Sequence, residues 1–359
     1  MSMQNMKLFF LLAMASLTIS LGCTKKSVDS TVVMIPSAGE LNLAIWSNYL
    51  SPEMAKKFTE QTGIKLNISN YASNEDLMAK IQTGAAGIDV AVPSDYLVTI
   101  LAKEGKLQEL QRTLIPNFTN LSAELLGQDS DPENRFSLPY SWTTTGIAIN
   151  RELYKGKIES WKDVLENDQL KGKISLLDDI REVAGLALKK QGISLNTTDE
   201  KEIKKAKDYL MKIKKNIKLF QSDSIDLLTN KEVVVAQAYS SDALNAWNKS
   251  GGKIEYVLPK EGSTRAIDNL VILKGSKNIE GAHKLINFLL SQEANVNFVS
   301  TMFGGPVLSG TRELLEPKLK NNEALFPSKE SMKNLEAVHD LGDKTALYDD
   351  LWTAVKTAN

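Results

Sequence analysis

From Leu41 onward, short apolar runs alternate with punctuated helix patterns. That alternation confines the chain to α/β layering around largely parallel sheets. Leu41–Trp46, Ile64–Ile68 and Ile88–Val92 are strand candidates in the first part of the chain. Between the first two, Ser51 and Pro52 open a helix and Gly63 closes it, the usual asymmetry of helix punctuation. Asn74, followed by Glu75 and Asp76, caps the next helix, and Gly84 ends it. A second series begins after Trp142, with strands at Ile174–Leu177, Val233–Ala238, Ile254–Leu258 and Ala266–Leu273. Its helices open at Asp178-Asp179, at a Thr197/Glu200 capping box, at Ser241 and at Ile279.

The roughly 320 residues from Glu40 to the end outgrow one hydrophobic core, so two lobes are expected. Chain crossings near Thr144 and Asp268 divide them into 40–143 with 268–313, and 144–267 with 314–359. Ligands of open α/β sheets bind beyond the carboxyl ends of strands, which directs attention to the residues that follow each strand.

The N-terminus reads as an export signal over residues 1–22. Lys7 precedes an uncharged run, Leu8–Leu21, that falls short of the ~20 residues a spanning helix needs. Leu21 and Gly22 lead to Cys23, the chain's single cysteine. A Leu-Gly-Cys step there resembles a lipobox, which makes Cys23 a lipidation candidate and 23–39 a flexible tether. A lone cysteine forms no internal bridge, so the core alone must hold the fold.

Most catalytic chemistry is missing. There is no phosphate-cradling G-x-x-x-x-G-K-[ST] loop, no G-x-G-x-x-G fingerprint and no G-x-S-x-G elbow. His283 and His339 are far apart and lack metal spacing, and His283 reads as a surface or boundary residue of an amphipathic helix. Neither a metal nor a cofactor is expected. Lys+Arg 43 against Asp+Glu 44 leaves a net charge of −1, without the basic excess of a nucleic-acid binder.

Aromatics and carboxylates stand at the strand ends instead. Trp46, Ser47 and Tyr49 follow the first strand; Ser94 and Tyr96 follow the third. Asp179 and Glu182 follow the first strand of the second series, Tyr239 and Asp242 follow another, and Asp268 lies inside an apolar strand. Each has an ordinary explanation as a cap, a first-turn acid or packing. Together they describe a cation site, with carboxylates accepting ammonium protons and rings lining an aliphatic stem. The Asp179/Glu182 pair alternatively offers a hydrolase acid/base couple.

At these residues the chain resembles the bacterial spermidine/putrescine-binding proteins, of the type II periplasmic binding fold. The likeness is clearest at Trp46-Ser47-Asn48-Tyr49, Phe58–Ile64, Val92-Pro93-Ser94 with Tyr96, Asp178-Asp179 with Arg181-Glu182-Val183, and Glu280-Gly281 with Leu285–Leu290. It implies a two-lobed cleft serving an ABC importer and its permease, lined by Trp46, Tyr49, Tyr96, Asp179, Glu182 and Asp268, with Ser47 and Ser94 as polar contacts. Tyr239 stands where the family usually has Trp, and Asp242 matches an acid of putrescine-preferring members. Ala266, Gly305 and Val338 depart from the pattern at wall positions, which leaves room for a bulkier cationic amine. A ligand sensor built on the same cleft is the other reading.

Overall fold

A computed structural model describes residues 39–47, 49–71, 73–83 and 87–357. The expected signal, Cys23, the tether up to residue 38 and Gly84 lie outside the described residues; Gly39, expected as the tether's last residue, instead opens the first strand. Ten strands make up the sheet system: β1 (Gly39–Trp46), β2 (Ile64–Tyr71), β3 (Val90–Ala91), β4 (Leu107–Gln108), β5 (Ser137–Asn150), β6 (Ile174–Leu176), β7 (Ile217–Phe220), β8 (Val235–Tyr239), β9 (Ile254–Val257) and β10 (Arg265–Leu273). Their order is β2-β1-β3-β10-β5-β8-β6-β7, with β4 on β10 and β9 on β5.

The expectation of largely parallel sheets needs correcting. Parallel pairing is confined to β1 with β2 and β3, and to β6 with β7 and β8. The central strands β10 and β5 pair antiparallel with each other and with their neighbours. The reason is β5, a long strand that the apolar pattern does not mark because its centre is Thr143-Thr144-Thr145-Gly146. Its first half, to Thr144, pairs with β10, and its second half, from Thr145, pairs with β8.

The core changes hands along the same strand. Leu138, Tyr140 and Trp142 pack with Leu41, Leu43, Phe58 and Leu285, whereas Ile147 and Ile149 pack with Ile174, Val183, Leu188 and Leu210. Gly146 sits between, and a Cβ there would meet the Tyr256 ring and Val257 O at 2.7 Å. Only hydrogen fits, so Tyr256 reaches past it to donate to Thr144 O at 2.9 Å. Farther on, Leu315, Leu319, Ala324 and Leu325 join the first core, and Tyr348, Leu351 and Val355 the second.

Helix caps explain why the elements stop where they do. α1 (Pro52–Thr62) starts on Ser51, whose Oγ accepts from Met54 N, and ends at Gly63 with φ 71°. α2 (Asn74–Thr83) is capped by Ser73, whose Oγ accepts from Asp76 N; Asn74, expected as the cap, is the first helical residue. α3 (Asp95–Lys103) follows β3 directly. In the second half come α4 (Trp161–Leu165), α5 (Ile180–Lys189) and α6 (Glu200–Ile213). The expected Thr197 cap of α6 is in fact Asp199, which accepts from Lys201 N and Glu202 N. α7 (Ser224–Thr229), α8 (Ser240–Lys249) and α9 (Ile279–Leu289) follow, with α10 (Gln292–Met302) directly after α9 and a last long helix over Thr345–Thr357. His283 on α9 is fully buried, not peripheral. Its Nε2 accepts from Gln111 N at 2.9 Å, which leaves Nδ1 to donate to Ile279 O at 2.7 Å.

Candidate functional site

Asp268 stands where β10 leaves its regular pairing with β5; a register shift falls between Asp268 and Asn269. Asp268 keeps Ser141 of β5 as its partner and also forms an isolated bridge with Ser94, just after β3. The Asp268 carboxylate is 4% exposed. Ser94 Oγ donates to Oδ1 at 2.7 Å and Tyr49 Oη donates to Oδ2 at 2.8 Å. Burial pushes the carboxyl up to about 6, and the two donated hydrogen bonds hold it from rising further. A buried carboxylate satisfied only by neutral donors still lacks a counter-charge.

The surrounding residues are held by their own contacts. Trp46 Nε1 donates to Val92 O at 2.9 Å, and its ring lies 4.7 Å from Tyr71 and 6.4 Å from Tyr49. Tyr49 also meets Phe298 edge-on at 5.4 Å. Asn74, released from capping duty, accepts from Ser94 N at 3.1 Å and so ties the start of α2 to the start of α3. Next to it, Tyr96 donates to Glu75 Oε1 at 2.9 Å.

The second half supplies further acids. Asp179 caps α5, accepting from Arg181 N at 2.8 Å and Glu182 N at 3.1 Å. Glu182, one turn inside the helix, is 6% exposed; its carboxyl faces the Thr264 and Thr145 hydroxyls, and its Oε2 has no hydrogen-bond partner among the described residues. Burial, then the adjacent Asp179, raises the Glu182 carboxyl; burial is the main reason that Asp179 is raised too. Asp242, in the first turn of α8, is pushed up to about 7 by burial and by Asp223. Tyr239 stands between these groups. Its phenol is raised well above the ordinary value by burial and then by Asp179, Glu182, Asp242 and Asp268 together. One phenol therefore feels carboxylates from both halves of the molecule. Tyr49 is likewise within reach of both Asp268 and Asp242.

Hydrogen bonds and ring contacts thus join Trp46, Tyr49, Ser94 and Asp268, a hydrogen bond joins Asp179 to Glu182, and Tyr96, Tyr239 and Asp242 are near enough to these groups to act on them through charge. Ser47 is exposed in the turn after β1 and joins none of these contacts. Among the departures, Gly305 has a clear cause: a Cβ there would meet Trp142 O at 2.3 Å and the Trp142 ring at 2.6 Å. The indole occupies the space a larger side chain would need, and its Nε1 donates to Pro306 O at 2.9 Å. Ala266 is half-buried opposite Thr143, and Val338 is half-buried before His339.

Two further acids near these residues, Asp95 after the third strand and Glu75 at a helix start, are not among the site residues expected from sequence. Asp95 is buried and pushed up to about 7, by burial and then by Asp268. Its place between Ser94 and Tyr96 was the available signal. Glu75 read as a first-turn acid, and only the fold brings it to Tyr96. A separate cavity of about 520 Å³ opens between α8, β9 and residues 321–331. Its Arg151 is ion-paired with Glu255 at 2.6 Å.

Two α/β halves joined through β5 and β10, with acids of both acting on the Tyr239 phenol, are the architecture of a two-lobed solute-binding protein. The chain belongs to the bacterial extracellular solute-binding protein family, whose model matches residues 53–327. It is 38% identical over 315 residues to the spermidine/putrescine-binding periplasmic protein of Escherichia coli, covering 87% of this chain and 90% of that one. It is 34% identical over 333 residues to the putrescine/cadaverine-binding protein of Pseudomonas aeruginosa, covering 89% and 94%. Among solved structures, the spermidine/putrescine ABC transporter substrate-binding protein of Streptococcus pneumoniae superposes with a TM-score of 0.82 at 33% identity, over 89% of this chain and 99% of that one. Among the described residues, no helix is long and apolar enough to cross a membrane.

Proposed function

We propose that the chain is the solute-binding component of an ABC importer and that it holds a polyamine of the putrescine/spermidine class in its crevice. The observation that carries this reading is Asp268, buried, satisfied by Ser94 and Tyr49, and without a cationic partner among the described residues. An ammonium group supplies the missing charge through charge-assisted hydrogen bonds. Trp46, Tyr96 and Tyr239 line the methylene stem, and Asp179, Glu182 and Asp242 take the remaining ammonium protons. A phosphate or carboxylate ligand would meet only repulsion from these acids.

The lobes close over the ligand by rotating about the two crossings, near Thr144 on β5 and near Asp268 on β10. One lobe is 40–143 with 268–313 and the other 144–267 with 314–359, except that 315–325 travels with the first, whose core its apolar side chains share. Outside the cytoplasm, Cys23 carries a lipid that tethers the protein to the membrane beside its permease. Ala266, half-exposed beside Asp268, favours one second reading: an amine bulkier than a linear diamine.

Mass spectrometry of the small molecule that copurifies with the protein, with a thermal-shift panel of amines, tests the assignment. The expected result is a linear polyamine that raises the melting temperature. A sugar or an amino acid in the crevice, with no response to any amine, would overturn it.

A further inference from the structure

β5 is buried along its length except at one residue. Of the 14 residues from Ser137 to Asn150, only Thr143 is half-buried. Its partner across the sheet, Ala266, is half-buried too, whereas β10 is buried from Ile267 onward. The sheet surface therefore opens at this pair. Side chains alternate between faces along a strand, and directly paired residues share a face. Thr143 pairs with Ala266 and Ser141 with Asp268, so Thr143 and Ala266 look the same way as the Asp268 carboxylate, about 7 Å along the strand. Two residues further on, Thr145 pairs with Tyr239, and its hydroxyl faces the Glu182 carboxyl. Thr143 thus stands on β5 between an acid of one lobe and an acid of the other, in the gap that the small Ala266 side chain leaves.

The Thr143 hydroxyl is oriented from the second lobe. Ser240 Oγ, buried directly after Tyr239, accepts from Thr144 N at 3.3 Å and lies 3.1 Å from Thr143 Oγ1. Thr143 Oγ1 is the acceptor that the described residues offer the Ser240 hydrogen, so Ser240 donates to it. One lone pair of Thr143 Oγ1 remains, and the nearest acceptor for its own hydrogen, Thr144 O, is 3.5 Å away, beyond a good bond. Resting on the polyamine reading, we propose that Thr143 is a further specificity-determining residue, whose hydroxyl accepts a hydrogen bond from an internal N–H of the ligand where a large ring in place of Ala266 would cover methylenes instead. The protein thereby favours amines with an internal secondary ammonium over linear diamines. A stem made only of methylenes leaves the lone pair unmatched and away from water, which costs binding.

Calorimetric titration of the wild-type protein, Thr143→Val and Thr143→Ser with putrescine, cadaverine and spermidine tests the proposal. Valine keeps the shape and removes the hydroxyl; serine keeps the hydroxyl. The wild-type protein should bind spermidine more tightly than either diamine. Thr143→Val should weaken spermidine about tenfold, the effect of one hydrogen bond to a charged group, and each diamine by less than about twofold. Thr143→Ser should retain the wild-type preference. Equal losses for all three amines in Thr143→Val, as a crossing disturbed through Ser240 would give, or an unchanged affinity for spermidine, would overturn the proposal alone. A wild-type protein that binds none of the three would overturn the polyamine reading as well. Melting of the ligand-free variants checks their folding, and Thr143→Ala carries the same comparison if valine destabilises the strand.

Discussion

A carboxylate that loses water and gains no cation holds its proton more tightly, and this chain does so at several positions in one place. Asp268 is pushed up to about 6, and Asp95 and Asp242 to about 7, each chiefly by burial. In the unfolded chain the same acids release their protons near pH 4, at about 3.9 for Asp. Between those limits the folded state binds more protons than the unfolded one. Their contribution to stability is therefore full at the acid end and disappears as pH rises through about 6 to 7. The ligand-free protein should melt at a lower temperature at pH 8 than at pH 5. A bound polyamine supplies the absent charge only to ionised acids, so its stabilising effect should be larger at pH 8. Thermal melting with and without ligand across this range checks both statements; an amine-induced shift that grows toward pH 5 would contradict them.

At the scale of single elements, the strand ends were legible because they follow simple rules. Ser51-Pro52 and Gly63 bracket α1 as read from sequence, and Asp179 caps α5 at the end of β6, where ligand contacts are expected. What could not be read was decided by tertiary context. β5 hides its role behind threonines and a glycine, since a strand that crosses between two cores has no single apolar face. Asn74 looked like a cap and instead reaches Ser94, a partner 20 residues away that no local pattern announces. Thr197 and Asp199 competed for one helix start, and the residue immediately before the first turn won. β10 carries this scale's prediction. Ala266 leaves its side of Asp268 without a ring, whereas Gly305 already yields its space to Trp142. Ala266→Trp should tighten binding of a linear diamine by about threefold or more, through added cation–π contact. Calorimetry measures this directly, and weaker binding would show that the natural ligand already fills the gap.

For the molecule as a whole, strand–helix alternation and sheer length were enough to foresee two α/β halves, but not the antiparallel centre that joins them. The site was legible as a set of residue types at strand ends, and its unity was not, because the Tyr239 phenol comes under the charges of both Asp179 and Asp268 only when β5 and β10 bring the halves together. That meeting is the central claim: buried acids of both lobes form one receptor for a cationic amine. Titration calorimetry at pH 8 with putrescine and spermidine, on the wild-type protein and on Asp268→Asn, tests it most directly. The account predicts one amine bound per chain and an affinity lowered by more than about tenfold in the variant, the effect of removing a desolvated charge partner. Unchanged affinity in Asp268→Asn, or a wild-type protein that binds neither amine, would contradict it.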